Sequence, residues 1–330
     1  MLASRGQFFR RNSLEDATER HERAGKLQSV DSINRGNVEK IIGQHLLAEF
    51  RVPEDFVTTP EILEKVIYEA AQKARATVLE KYFFKTVSGG ISGVIVIEES
   101  HFIAHYFPAD KYLALDIYTC GEKINTNLAL EHIQNSLNLT PYDVVSFKRG
   151  ILAKNLPFST LKPGLALIKN ESTLRFFKQN HESDVKVERK SIATHWVGEF
   201  YCSDTRITND ADRILKAFEG ALMFAPENSF YYKHDFEPQG ATAVILGDGF
   251  HVTTHPWPEL FENYTPVDLF INTHCKVDPE IIMKRLVDAF KSEKYTMHSF
   301  PRGVQSEEKL MPIFHELVLE PEDHRAALRM

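Results

Sequence analysis

The run Glu99-Ser100-His101 falls between two apolar, β-like stretches, where the chain must reverse tightly. A serine at such a bend can press its hydroxyl against the carbonyl that precedes it, and backbone strain of this kind is stored at functional sites. Serine is also an ordinary turn residue, so the bend alone carries little. Further on lies Cys120, whose thiol, with an ordinary pKa of about 8.5, stays protonated yet labile near neutrality and suits proton donation. A cysteine is as readily an inert core residue. Histidines recur four apart, His101 with His105 and His251 with His255, on one face of a strand. Zinc uses such pairs but demands a third ligand and an ordered second shell. No matching carboxylate or cysteine stands out, so no metal is expected.

The chemistry is written twice. Residues 92–105 recur as 242–255 at a constant offset of 150, and the same offset pairs His45–Phe50 with His195–Phe200. A duplicated chain can lose a group from one copy when the other still supplies it, so the differences record one shared site. Opposite Ser100 the second copy has Phe250. Opposite Cys120, with Asp116 set against Asp268, it has Asn272, and Cys275 lies three residues beyond. Thr242 keeps the hydroxyl of Ser92, and His255 keeps His105.

The string Ser-Gly-Val-x-Val-Ile-x-Glu-Ser-His-x-x-x-His over 92–105, followed by Asp116-Ile117-Tyr118-Thr119-Cys120-Gly121, resembles the bacterial S-adenosylmethionine decarboxylases. The resemblance covers 42–150 strongly and 194–303 more weakly, and the fused arrangement is similar to the eukaryotic branch. It implies self-cleavage between Glu99 and Ser100, which leaves a pyruvoyl group made from Ser100. That group would remove a carboxylate from S-adenosylmethionine and yield the aminopropyl donor of spermidine synthesis. Cys120 matches the family's proton donor. Thr242 and His255 match a hydroxyl and histidine that assist processing, and that reach the site from the partner unit in the symmetric enzymes. Phe236, six residues before Thr242, matches an aromatic that stacks on adenine; Glu259, four after His255, matches a glutamate that binds ribose. The first copy has Thr86 and Ala109 there. Glu49 and Phe50 are further candidates, for the family's first-strand contacts. Ser92 and His105 would belong to a second, dead site with Phe250 and Asn272. Two alternatives stand beside this reading: a pyruvoyl-dependent arginine or ornithine decarboxylase on the same scaffold, and a non-catalytic regulatory paralogue. Retention of Glu99-Ser100 and Cys120 speaks against the latter.

Elements able to position these groups follow from periodicity. In the first copy, strand-like runs at 44–51, 79–87, 91–98, 101–107, 112–119 and 142–148 enclose two helices. One carries Leu63, Val66, Ile67, Ala70, Ala71 and Ala74 behind a Thr59-Pro60 start, and the other covers 126–137. The second copy retraces this order, with strands at 194–202, 229–236, 241–247, 250–255, 266–272 and 293–300. Its helices carry Leu215, Phe218 and Leu222, then Met283, Leu286 and Phe290. Two helices cover one sheet face only, so the other face needs a partner. Connections too short for crossover helices make the sheets antiparallel. The expected class is therefore α+β: two antiparallel sheet-plus-two-helix units packed sheet to sheet as a four-layer α/β/β/α sandwich.

This divides the chain into a polar arm at 1–38, a first repeat at 39–150, a connector at 151–190, a second repeat at 191–303 and a tail at 304–330. The arm's dense mixed charge reads as disorder. With 330 residues, a formal charge of −7 and a pI near 6.1, the protein lacks the basic excess of a nucleic-acid binder. No apolar run approaches the roughly 20 residues of a membrane span. Three cysteines suit a reducing, cytoplasmic setting. One chain would supply its own pseudo-dimer, and further oligomerisation stays open.

Overall fold

Strand alternation sends one row of side chains in each sheet to its helices and the other row to the opposing sheet. In the first repeat β1 (Gly43–Arg51), β2 (Val78–Lys85), β3 (Ile91–Ile97), β4 (Ser100–Phe107), β5 (Tyr112–Cys120) and β6 (Pro141–Arg149) form an antiparallel sheet in the order β2-β3-β4-β5-β1-β6. In the second, β7 (Ala193–Tyr201), β8 (Phe230–Asp235), β9 (Ala241–Gly247), β10 (Phe250–Thr254), β11 (Thr265–Asn272) and β12 (Lys294–Arg302) repeat it as β8-β9-β10-β11-β7-β12. A short edge strand joins each sheet, Ala166–Leu167 beside β6 and Ile313–His315 beside β12. The computed structural model describes residues 39–40, 42–121, 123–150, 152–153, 166–167, 191–222, 228–260, 263–303 and 313–315. The 1–38 arm lies outside them, as do most of the connector and tail.

Helix α1 (Pro60–Lys73) starts where Thr59 caps the Ile62 N–H and proline occupies the first turn; α2 (Thr126–Leu137) starts at an Asn125 cap. Their apolar faces meet Leu46, Ala48, Phe50, Ile95, Ile97, Phe102 and Leu115. The second repeat packs α3 (Ala211–Leu222) and α4 (Pro279–Phe290) against Trp196, Phe200, Ile245, Val252 and Leu269. A one-turn helix at Thr205–Thr208, which periodicity did not announce, precedes α3. Among the described residues no helix is long and apolar enough to cross a membrane.

The alternate rows meet between the sheets. Leu47, Val145 and Phe147 pack on Val197 and Phe300, with the two phenylalanine rings stacked at 5.3 Å. Val94, Val96 and Ile103 pack on Val244 and Leu246. The four-layer arrangement follows, with helices outside and one inter-sheet layer buried.

That layer is apolar at its margin and charged at its centre. Arg149, at the end of β6, reaches Glu199 at 2.6 Å and also binds Asp268; Arg302, at the end of β12, binds Glu49. The next residue's N–H completes each clasp, Gly150 to Glu199 at 2.9 Å and Gly303 to Glu49 at 2.8 Å. Tyr264 and Tyr112 donate their hydroxyls to the same two carboxylates. Each repeat therefore ends by gripping the first strand of the other. The chemically matched Arg-Gly endings of the two copies are explained by this exchange.

Candidate functional site

Ser100 opens β4 directly after a two-residue hairpin, Glu98-Glu99. Two-residue hairpins favour positive φ within the turn, which glycine supplies without strain. Here neither turn residue is glycine, and Ser100 itself takes φ 145°, fully buried. A non-glycine residue in that region costs about 1–3 kcal/mol and persists only where its surroundings impose it. The Glu99 side chain anchors the bend, accepting from the Thr77 N–H and hydroxyl at 3.1 Å each. The Glu99 carbonyl accepts the Cys120 N–H at 2.7 Å, which polarises the bond next to the serine.

The Ser100 hydroxyl lies 3.2 Å from His101 Nδ1. On its other side the His101 ring faces Asp116 Oδ2 at 3.4 Å. With that edge protonated toward the carboxylate, Nδ1 keeps a lone pair for the hydroxyl, giving a Ser100–His101–Asp116 relay of triad type. His255 Nε2 sits 3.2 Å from the same His101 nitrogen, and its Nδ1 lies 2.7 Å from Thr242 Oγ1. The Thr242–His255 pair therefore arrives from the second repeat at the serine of the first. Burial, then the neighbouring His101, holds His255 well below the ordinary imidazole value, so it is neutral at pH 7. Burial opposes the ionised Asp116, but His45, His195 and His101 outweigh it and keep its carboxyl well below the usual range.

Cys120 closes β5, buried with Tyr118 and Tyr264 and packed against by Trp257 of the second repeat. Burial pushes its thiol up to about 12, against opposing pulls from Tyr118, Arg149 and Trp257. The thiol is therefore protonated and neutral at pH 7.

Phe236 stacks edge-on against His234 at 4.6 Å, and His234 pairs across the sheet with Thr242. Glu259 lies in the turn two residues after Trp257, exposed. Phe236 is thus next to the strand partner of Thr242, and Glu259 follows the Trp257 that packs against Cys120. Glu49 is fully buried and held by Arg302, Tyr112 and Gly303, so its carboxylate serves the clasp between repeats. Phe50 is a correction: alternation turns it away from the inter-sheet layer into the helix-facing core.

The pseudo-equivalent place is differently built. Ser92 and His105 meet at 2.9 Å, but face His251, also at 2.9 Å, and the Gly249 N–H at 3.2 Å. Phe250 turns into the helix-facing core over Gly247, where an added Cβ would lie 1.9 Å from its ring. The Asn272 side chain caps the following turn through the His274 and Cys275 N–H groups. Cys275 packs at the edge of the helix-facing core of the second repeat.

One cluster approaches metal-ligand geometry: His45, Asp116 and His195 bring ligand atoms within 4.8 Å of one another. The donors argue against an ion there. Arg149 donates to His45 Nδ1 at 3.2 Å and Arg302 to His195 Nδ1 at 3.1 Å. Each imidazole then carries its proton on Nε2, the atom a metal would need bare.

Sequence reasoning missed His101 as a partner of Ser100, and Asp116 behind it. The adjacent Ser-His pair was the available signal.

A profile of the S-adenosylmethionine decarboxylase family matches residues 44–150 and again 194–303, together more than half of the chain. The S-adenosylmethionine decarboxylase proenzyme 2 of Halalkalibacterium halodurans is 40% identical over 111 residues, which are 33% of this chain and 87% of that protein. Proenzymes from Shouchella clausii and Thermotoga petrophila are 38% and 35% identical, over 33% and 34% of this chain and 86% of their own length in each case. The solved adenosylmethionine decarboxylase of Aquifex aeolicus VF5 aligns with 36% of this chain and 94% of its own at 24% identity and a TM-score of 0.29, a likeness too partial to carry an argument. Nearly the whole of each relative corresponds to one third of this polypeptide, about one repeat. The chain belongs to the S-adenosylmethionine decarboxylase family, with the family's unit present twice in one polypeptide.

Proposed function

We propose that this protein cuts itself between Glu99 and Ser100 and then decarboxylates S-adenosylmethionine. The observation that carries this reading is Ser100, buried at φ 145° with its hydroxyl on His101 and its neighbouring carbonyl on the Cys120 N–H. His101 accepts the hydroxyl proton as the oxygen attacks the Glu99 carbonyl, and the Cys120 N–H stabilises the charge that develops on that carbonyl oxygen. Collapse breaks the Glu99–Ser100 amide, returns a proton to the serine nitrogen and leaves an ester. The new bond relieves the torsion the hairpin imposes. Removal of the Ser100 Cα proton then expels the Glu99 carboxylate; addition of water and loss of ammonia leave a pyruvoyl group at the new N-terminus. His255, neutral and close to His101, is the base for the elimination, and Thr242 orients it through Nδ1.

The residues fit that group: Ser100 and Cys120 are both buried, and burial keeps the thiol protonated. The pyruvoyl ketone supplies an electron sink for breaking a carboxylate bond. Cys120 then delivers the proton that replaces the carboxylate. Phe236 and Glu259 would hold adenine and ribose, which favours a nucleoside-bearing substrate over arginine or ornithine. Residues 39–150 and 191–303 are the two working units, and one chain forms a complete site. The three cysteines, left as free thiols, suit the reducing cytoplasm.

Mass spectrometry of the purified protein tests this. Fragments 1–99 and 100–330, the larger lacking a free N-terminal amine, are expected, and Ser100→Ala should stay whole. An uncut, inactive wild type would overturn the reading. Competition between S-adenosylmethionine, arginine and ornithine for the processed enzyme decides the substrate.

A further inference from the structure

Tyr118 and Cys120 lie two residues apart on β5, so their side chains leave the same sheet face and pack in one cluster with Trp257. The tyrosine hydroxyl is fully buried and makes no hydrogen bond of full geometry among the described residues, although it lies close enough to the Cys120 thiol for each group to shift the other's ionisation. An unmade hydrogen bond at a buried hydroxyl is costly, and such a group calls for an explanation. Its position is fixed by Gly43, the cross-strand partner of Cys120. A Cβ built on Gly43 would come within 2.6 Å of the Thr119 carbonyl oxygen, 2.8 Å of Tyr118 Cε2 and 3.3 Å of the hydroxyl oxygen. The hydroxyl end therefore lies over the Gly43–Cys120 pair, in space that only a glycine leaves open.

The second repeat is an internal control. At the position of Tyr118 it has Phe270, and opposite Asn272 it has Ala193 in place of glycine. Phe270 is buried in the same layer, stacked on His105 at 4.6 Å and beneath Arg302 at 5.6 Å. Tyr118 lies likewise under Arg149, at 4.5 Å. The framework thus accepts a phenyl ring without the hydroxyl. The hydroxyl, and the glycine beside it, are kept only in the copy that keeps the thiol.

We propose that the Tyr118 hydroxyl is a positioning group for the Cys120 thiol, acting when that thiol gives up its proton. In the turnover proposed above, on which this inference rests, the S–H bond of Cys120 breaks as a C–H bond forms at the carbon that has lost carbon dioxide. The electron pair stays on sulfur. The Tyr118 O–H then donates a hydrogen bond to the thiolate without transferring its proton, and the Arg149 guanidinium adds opposite charge. Water restores the thiol as product leaves. Burial, then the nearby Cys120, keeps the Tyr118 phenol well above its ordinary value, so it remains a donor throughout. Glu199 also faces this pocket, but Arg149 holds it in an ion pair.

The test separates this role from the reading beneath it. Cleavage of the wild type, read by mass, decides the self-processing. The thiol is probed in the uncut Ser100→Ala chain, where no pyruvoyl group intervenes. There the alkylation of Cys120 by iodoacetamide is followed from pH 7 to 10 by peptide mass, with Cys202 and Cys275 as references in the same digest. Tyr118→Phe should slow Cys120 alkylation about tenfold, the loss expected for one hydrogen bond to a charged group. Replacing Tyr118 with a fluorotyrosine, a stronger donor of nearly the same shape, should speed it above the parent. Phe270→Tyr should leave it unchanged. A Cys120 rate that is equal or faster in Tyr118→Phe, or one that ignores fluorination, overturns the proposal.

Discussion

Two hairpins at equivalent places resolve the same geometric demand in opposite ways. In the second repeat, Asp248-Gly249 gives the positive torsion to glycine, at φ 65°, and the next residue is a phenylalanine seated in the helix-facing core. In the first repeat, Glu98-Glu99 contains no glycine, and the torsion falls on Ser100. The flanking pair is exchanged as well: Ile97 opposes Ser100, whereas Gly247 opposes Phe250. One hairpin is relaxed and filled. Its twin holds a hydroxyl under strain beside a polarised carbonyl. Ser88 of the first repeat also bonds Asp248 at 2.9 Å, which ties the relaxed hairpin across the interface. The proposed reactivity comes from where a tight turn puts its unfavourable residue, on a framework otherwise shared.

The largest expected contrast is between the histidines that serve the two hairpins. His255→Ala should slow self-cleavage by about 10²–10⁴-fold, the range for a lost acid–base group. His105→Ala should change it little, because that ring faces His251 and the glycine hairpin. Fragment formation followed on a denaturing gel measures both, and equal effects would erase the proposed asymmetry.

The clasps provide the opposite comparison, since both halves keep the arginine, glutamate, glycine and tyrosine, although Arg149 also binds Asp268. Removing either arginine leaves a buried carboxylate unpaired, at about 3–5 kcal/mol. Arg149→Met and Arg302→Met should therefore lower the urea midpoint by similar amounts. A cost confined to one of them would mean that only one clasp holds the repeats together.

Relief of the strained bend should have a smaller effect. Glu99→Gly offers the turn a residue suited to positive φ, so that Ser100 can relax toward an ordinary strand torsion. Strain of about 1–2 kcal/mol corresponds to roughly a five- to thirtyfold slower cut. Unchanged kinetics would remove strain from the account.

The mildest expectation concerns acid, and its histidines come from both halves, one from the first and three from the second. Burial, the leading cause in each case, lowers His105, His251 and His255, and takes His195 down to about 3. Their folded values lie below the unfolded value of about 6.5, so on acidification the unfolded chain takes up protons first. Stability is thus full above that value and declines as pH falls below it. Asp116 and Asp268, whose carboxyls are depressed, add a further loss below about pH 4. Thermal unfolding between pH 8 and 4 should show the decline beginning near 6.5. A midpoint that holds steady down to pH 5 would contradict it.

Much of the architecture was legible because alternation and helical spacing are local properties. The strand at 112–119 was readable from its apolar run, and α1 from its Thr59-Pro60 start. Boundaries shifted where a turn competes: the run at 79–87 ends at Lys85, because Thr86 turns back to accept from Gly89 and to donate to Gly90. Phe50 was misjudged because adjacent strand residues face opposite layers, and the motif does not say which layer holds the site. The division of groups between copies was also visible, since a phenylalanine cannot supply a hydroxyl.

Residue identity by itself determined the duplication, the split of Ser100 and Cys120 from Thr242 and His255, and the two antiparallel units. Only the folded chain decided that Ser100 takes a left-handed torsion, that His101 and Asp116 stand behind it, and that Arg302 closes on a glutamate 253 positions away. The reason is physical. Periodicity reports which way a side chain points within its own strand, whereas partners across a sheet interface are chosen by packing and charge in three dimensions, where separation along the chain has no bearing.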